Sequence, residues 1–227
     1  MMELLDKNEK IYLLEENDFS FPSLEMINND LVAIGGDFHP QRLINAYKNG
    51  IFPWFIDENN YIHWYSPQKR MVLYPEEFRL TKSLKKSIKN KGFVIKSNEN
   101  FEAVINNCAD IKRKHEDDTW ISDEFKQAYI NLYKLGYASS IECYLEDELV
   151  GGLYGILIND IFCGESMFAK ENDASKVAFY HLCNQAAING IKMIDCQVYN
   201  EHLASLGAKE ISRKEYYNIL EIENNNN

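Results

Sequence analysis

The stretch "SIECYLEDELVGGLYGILINDIFCGESMF", Ser140 to Phe168, constrains the fold of this chain most. It reads as three strands, divided by turn signals at Glu146-Asp147-Glu148 and Asn159-Asp160. A helical pattern follows in "DASKVAFYHLCNQAAING", with Asp173 as its cap and Gly190 as its close. Then come the strand "IKMIDCQV", the short helix "NEHLASLG" and a last strand or hairpin in "AKEISRKEYYNIL". Strands interleaved with helices make this part α/β, of the α+β kind. The N-terminal part reads as helical, in "DFHPQRLINAYKNG" (with Pro40 in its first turn), "RLTKSLKKSIKNKG", "NENFEAVINNCA" (capped by Asn98) and "SDEFKQAYINLYKLG" (capped by Ser122 and closed by Gly136). "IFPWFIDENNYIHWYSP" is aromatic and turn-rich. We expect two domains, 1–110 and 111–227, with the boundary near residues 105–120.

Strand side chains alternate, so Met193, Asp195 and Gln197 should share one face, and Glu165 and Met167 likewise. If these strands are neighbours, Glu165, Asp195 and Gln197 converge. Buried carboxylates are costly unless they are paired or used, so the convergence is either a hydrogen-bonded patch that orders the core or a site of chemistry. "GESMF" lacks the glycine that a serine-nucleophile elbow needs two residues after the serine, since Phe168 stands there. "GGLYG" lies inside a strand pattern, where glycines mark close packing rather than a phosphate loop. Trp54 and Trp120 sit beside polar residues at element edges, which suits either core packing or stacking on a planar base.

The chain has 227 residues and a net charge of −11, yet the charge is uneven. From Asn60 to His115 there are twelve Lys and Arg against five Asp and Glu, a net of +7. Seven cations and no acid lie between Arg79 and Asn98. A lysine-rich helix there is either a solvated face or a phosphate-binding one. Five cysteines without a C-x-x-C pair suggest free thiols in a reducing cytoplasm, and five scattered histidines suggest no metal site. No apolar run approaches the ~18 residues of a membrane helix, and the polar N-terminus lacks a signal-peptide core.

Several segments together resemble the bacterial leucyl/phenylalanyl-tRNA–protein transferases: "AIGGDFHPQRLINAYKNGIFPWF", "WYSPQKR", "TWI", "LVGGLYG", "FCGESMF", "ASKVA" and "DCQVYNEHLASLGAKEI". The resemblance runs from near residue 21 to near 220. It implies a GNAT-like C-terminal acyltransferase domain with a smaller N-terminal domain. It also implies transfer of Leu or Phe, with Met as a further candidate, from aminoacyl-tRNA (Leu-tRNA, Phe-tRNA) to an N-terminal Arg or Lys, marking the acceptor protein for degradation. By the same resemblance Asp195 and Gln197 are the catalytic pair, and Trp54 and Trp120 hold the terminal adenosine. Glu165, Leu153, Phe162 and Met167 form the amino-acid pocket, and Lys82, Lys86 and Lys89 belong to the tRNA-binding cluster. The chain departs from the family at Lys69, Ser139, Ala169, Ser212 and Asn90.

The chemistry suits the residues. An aminoacyl-tRNA is an activated ester whose aminolysis needs neither cofactor nor metal, only orientation of the amine, proton acceptance and charge stabilisation. The expected enzyme is a cytoplasmic monomer with no membrane attachment. One rival is an acetyltransferase using acetyl-CoA, for which "FAKENDASKVA" offers no glycine loop and two acids. The other is a tRNA-binding module without activity, which would not require Glu165, Asp195 and Gln197 together.

Overall fold

In the computed structural model, which describes residues 2–6, 9–23, 27–110 and 121–226, the chain divides into two compact units. One comprises Met1–Arg70, Trp120–Ala128 and Glu210–Asn227, the other Met71–Thr119 and Tyr129–Lys209. The boundary expected at 110/111 adjoins residues 111–120, which lie outside the described residues.

The first unit contains a sheet where helices alone were expected. Its strands are β1 (Met2–Asp6), β2 (Glu9–Leu14), β3 (Leu31–Gly35), β4 (Phe52–Ile56) and β5 (Ile62–Tyr65), in the order β1-β2-β3-β5-β4. The aromatic stretch supplies β4 and β5. Its bulky rings favour strands, and Pro53 is tolerated because β4 is an edge strand. Helix α1 (Pro40–Lys48) begins at its proline as expected. Arg42, fully buried on α1, ties the segment after β2 to the segment after β3 by donating to the carbonyls of Glu15, Glu16 and Asp18 and to the Asp37 carboxylate. Arg70 is sandwiched between the rings of Phe52 and Tyr216, 4.7 and 4.5 Å from its guanidinium carbon, and donates to the Gly50 carbonyl.

The second sheet has the order β12-β6-β11-β10-β9-β8-β7. These strands are β6 (Lys69–Leu73), β7 (Val94–Ser97), β8 (Ala138–Leu145), β9 (Glu148–Ile158), β10 (Ile161–Ala169), β11 (Met193–Gln197) and β12 (Lys209–Ser212). The three expected strands are the antiparallel run β8-β9-β10, and β11 joins β10 in parallel. The helices are α2 (Lys82–Asn90), α3 (Phe101–Asp110), α4 (Asp123–Lys134), α5 (Ala174–Asn189), α6 (Glu201–Ser205) and α7 (Arg213–Asn226). Mixed α/β architecture is thus as expected, but the chain end is β12 followed by α7, not a strand or hairpin. Ser212 accepts from the Glu215 N–H, and this S-x-x-E spacing is a helix start.

Three further caps can be compared with expectation. Ser122 caps α4 by accepting from the Phe125 N–H. Asn98 does not cap α3; Asn100 does, accepting from Ala103, while Asn98 turns through a positive φ and accepts from the Ser140 N–H. Asp173 precedes α5, but its side chain caps nothing.

Neighbouring glycines in β9 show how the second sheet is layered. A Cβ on Gly151 would point at Ala174 of α5, whereas one on Gly152 would point at Phe168 and Val104 of α3. Successive strand residues face opposite sides, so α5 covers one face and α3 the other. At Gly155 an added Cβ would collide with the Cys163 carbonyl and come within 2.7 Å of the Phe162 ring. At Gly164 the nearest atom would be the Asp195 carbonyl oxygen, at 3.5 Å. Gly155→Ala should therefore cost about 1–3 kcal/mol through overpacking. Gly164→Ala should be neutral or gain up to about 0.5–1 kcal/mol. Urea unfolding of the two variants beside the parent checks the contrast.

Candidate active site

β11 ends in a bulge. Asp195 lies opposite Val72 of β6 and Gln197 opposite Met71, so Cys196 is the extra residue. Gln197 itself adopts φ 63°, a left-handed backbone uncommon outside glycine. The fully buried Asp195 supports this turn, because its Oδ1 accepts from the Gln197 N–H at 2.8 Å. Asp195 and Gln197 are joined through the backbone, not simply by facing the same side of a regular strand.

β10 carries a second bulge, between Gly164 and Ser166, with Glu165 the additional residue. Alternation counted from the sequence fails here, so Glu165 and Met167 are not related as on a regular strand. The Gln197 Nε2 donates to Glu165 Oε1 at 2.9 Å, and the Tyr129 hydroxyl of α4 donates to Glu165 Oε2 at 3.0 Å. Glu165, Asp195 and Gln197 are therefore brought together in one hydrogen-bonded chain, as the sequence suggested. Because the Glu165 oxygen accepts, the amide nitrogen of Gln197 must face it, and the amide oxygen is turned elsewhere. Among the described residues nothing bonds to that oxygen.

The apolar candidates form a separate group. Leu153 lies opposite Met167 and Leu157 opposite Phe162 across β9 and β10. Leu153 and Phe162 belong to one buried cluster with Ala178, Phe179 and Leu182 of α5 and Ile194 of β11, and Met167 packs against it. Glu165 does not share this side: Tyr129, which it engages, packs edge-on against Tyr154, and Tyr154 lies opposite Ser166. The four residues expected in one pocket are thus three apolar neighbours on the α5 face and one carboxyl group turned toward α4.

Trp54 is the extra residue of a bulge in β4, 37% exposed, with its ring 4.7 Å from that of Tyr65. Core burial belongs instead to Trp64, fully buried and donating to the Gly35 carbonyl. Trp120 lies outside the described residues. Lys82, Lys86 and Lys89 are exposed on α2, which Leu84 anchors and Thr81 caps. Among the described residues no group of three or more His, Cys, Asp or Glu side chains could hold a metal ion, and no helix is long and apolar enough to cross a membrane.

Comparison with known proteins gives this arrangement its context. A family model described as leucyl/phenylalanyl-tRNA protein transferase matches residues 72–221, and one for the N-terminal domain of the same proteins matches residues 36–68. A leucyl/phenylalanyl-tRNA–protein transferase from Dechloromonas aromatica is 53% identical over 85% of this chain and 83% of its own length. One from Flavobacterium johnsoniae is 47% identical over 92% of this chain and 99% of its own. Among solved structures, a GCN5-related N-acetyltransferase from Kribbella flavida aligns at 9% identity with a TM-score of 0.43, over 79% of this chain and 64% of that one. The sequence matches place the chain among the aminoacyltransferases. It belongs to the leucyl/phenylalanyl-tRNA–protein transferase family.

Tyr129 escaped the sequence reading. It lies 36 residues before Glu165, and on an amphipathic helix a tyrosine is indistinguishable from core. It is fully buried, so Tyr129→Phe should cost roughly 1 kcal/mol in stability from the lost hydrogen bond. If the hydroxyl also fixes Glu165, and through it the Gln197 amide, transfer activity should fall further than that loss of stability explains. Thermal melts alongside single-turnover transfer at a temperature where both proteins are folded separate the two effects.

Proposed function

We propose that the chain transfers Leu or Phe, with Met as a further candidate, from aminoacyl-tRNA to the N-terminal Arg or Lys of acceptor proteins, which are thereby marked for degradation. Family membership supports the donor and the class of acceptor. The observation that carries the mechanism is the orientation of Gln197. Its amide nitrogen is committed to Glu165, which leaves the amide oxygen to accept from the α-amine of the incoming protein. Such an amine has a reference pKa of about 7.7–8.0, so part of it is neutral and nucleophilic near pH 7.

In this reading Gln197 orients the α-amine of the acceptor, and the amine nitrogen attacks the ester carbonyl carbon. A C–N bond forms, the ester C–O bond breaks, and the proton lost by the amine ends on the ribose oxygen released with the tRNA. Asp195 acts through the Gln197 backbone, holding the turn that aims the amide. Leu153, Phe162 and Met167 form the wall met by the leucyl or phenylalanyl side chain. Such a wall discriminates bluntly, since one methylene is worth only about 1–3 kcal/mol. Trp54, with Trp120, stacks the terminal adenosine, and Lys82, Lys86 and Lys89 contact tRNA phosphates. Residues 1–110 and 111–227 would then serve mainly donor delivery and catalysis respectively. Free thiols throughout the five cysteines suit a cytoplasmic enzyme. Every group the reading needs belongs to one chain, so a monomer suffices.

An acetyl-CoA pyrophosphate at the start of α5 would meet Asp173, whose hydrogen bond from Ser87, reinforced by Lys176 and Lys91, holds its carboxyl group below the usual range and therefore ionised. The deciding assay is incubation with charged Leu-tRNA and a peptide beginning with Lys or Arg. Extended peptide is expected, and its absence with correctly folded protein would overturn the reading. Gln197→Glu sets a second carboxyl group against Glu165 and should lower single-turnover transfer by about 10²–10⁴. Asp195→Ala should be more damaging than Asp195→Asn, which keeps an acceptor for the Gln197 N–H.

A further inference from the structure

The residue before α5 does something a helix cap does not. Asp173 has φ 69°, and its side chain makes no capping bond to the helix it precedes. Its Oδ2 instead accepts from the Ser87 hydroxyl of α2 at 2.7 Å, and its Oδ1 pairs with Lys176 of α5 at 3.1 Å. A second tie lies beside it, where the Lys91 ammonium at the end of α2 donates to the Asn172 carbonyl at 2.9 Å. Asp173 thus forgoes the stabilisation of a cap and holds a left-handed backbone, and such strain persists only where the surroundings hold it.

The elements tied here carry different parts of the proposed reaction. α2 presents Lys82, Lys86 and Lys89 to solvent. α5 lays Phe179 and Leu182 into the apolar cluster that contains Leu153, Phe162 and Ile194. α6, which follows β11, brings His202 near the same node. Burial first, and then the Lys176 charge, hold its imidazole below the usual range, with Asp173 acting in the opposite direction.

We propose that Asp173 is a positioning residue that sets the basic helix α2 in register with the pocket helix α5, so that a tRNA held by its phosphates delivers its aminoacyl end to the apolar wall. This rests on the reading of α2 as the tRNA-binding helix. The Ser87 bond fixes the rotation of α2 about its own axis, and the Lys91 bond fixes its end. A donor without a tRNA body gains nothing from that alignment.

The test uses the full-length protein with two donors, Leu-tRNA and leucyl-adenosine, in single-turnover transfer. The variants are Ser87→Ala, Asp173→Ala, their double and the conservative Asp173→Asn. Ser87→Ala and Asp173→Ala should each raise the half-saturating Leu-tRNA concentration by about fivefold or more, as expected of coupled sites. The maximal rate with leucyl-adenosine and its half-saturating concentration should stay unchanged. The double variant should be no worse than the more affected single, because both remove one link, and Asp173→Asn, which can still accept from Ser87, should recover part of the loss. Equal losses with both donors, additive losses, or no change with Leu-tRNA would each overturn the proposal. Lys82→Ala/Lys86→Ala/Lys89→Ala separates it from the reading it rests on. If that variant binds tRNA normally, α2 is not the tRNA helix. If it binds weakly while Ser87→Ala and Asp173→Ala behave as wild type, only the joint fails.

Discussion

A hydrogen bond from the backbone to a buried side chain shapes the turn of the candidate site. The Gln197 N–H donates to the Asp195 carboxyl group while Gln197 sits in the left-handed region. For a residue with a Cβ that conformation costs about 1–2 kcal/mol, and a fully buried aspartate is itself expensive unless hydrogen-bonded. Each feature offsets the other. The buried carboxyl group finds a donor, and the strained turn is held by it. Without the turn β11 would continue as a regular strand, and the Gln197 amide would not reach Glu165.

Two bulges act together in the same way. One inserts Cys196 opposite β6, the other inserts Glu165 opposite β9. Each re-aims a side chain that strict alternation would have sent elsewhere, which is a recurring use of bulges near active sites. Tyr129 then closes the chain on Glu165 from α4, leaving both carboxylate oxygens engaged. The tyrosine is in turn braced by Tyr154 of β9, whose ring also meets Phe101 of α3. The polar chain is thus backed by a packed aromatic layer rather than by mobile loops, so its geometry exists before any substrate arrives.

Much of this was legible in the sequence, and the failures have specific causes. The strands from Ser140 to Phe168 were readable because strand-favouring runs are separated by clear turn residues, and the turns duly hold Glu146, Asp147 and Asn159 at positive φ. Convergence of Glu165, Asp195 and Gln197 was readable from the neighbouring strands. The route of that convergence was not, since a bulge leaves no mark in hydrophobic periodicity. The sheet of the first unit was missed because its strands are short and one carries a proline, which reads as a turn. Helix α7 was missed although Ser212 and Glu215 marked its start; the β-branched and aromatic residues around them outweighed the cap. Asp173 looked like an ordinary cap, and only a contact 86 residues away in the chain shows otherwise. Tyr129 had no local signal at all.

The triplet Asp195-Cys196-Gln197 finally shows why one short segment can serve both sides of a sheet. Gln197 turns toward Glu165, which engages Tyr129. Ile194 belongs to the apolar cluster against α5, and Cys196 packs on that cluster. Cysteine suits the position as a small, soft hydrophobe rather than as a nucleophile. The deeper thiols of the same cluster, Cys143 and Cys183, are pushed by burial up to about 12, far from thiolate chemistry at neutral pH. Orientation of the amine and recognition of the aminoacyl side chain would therefore meet across the thickness of one strand. A shift of β11 large enough to spoil the wall would also move the Gln197 amide, so in the proposed reaction selectivity and rate would be mechanically linked.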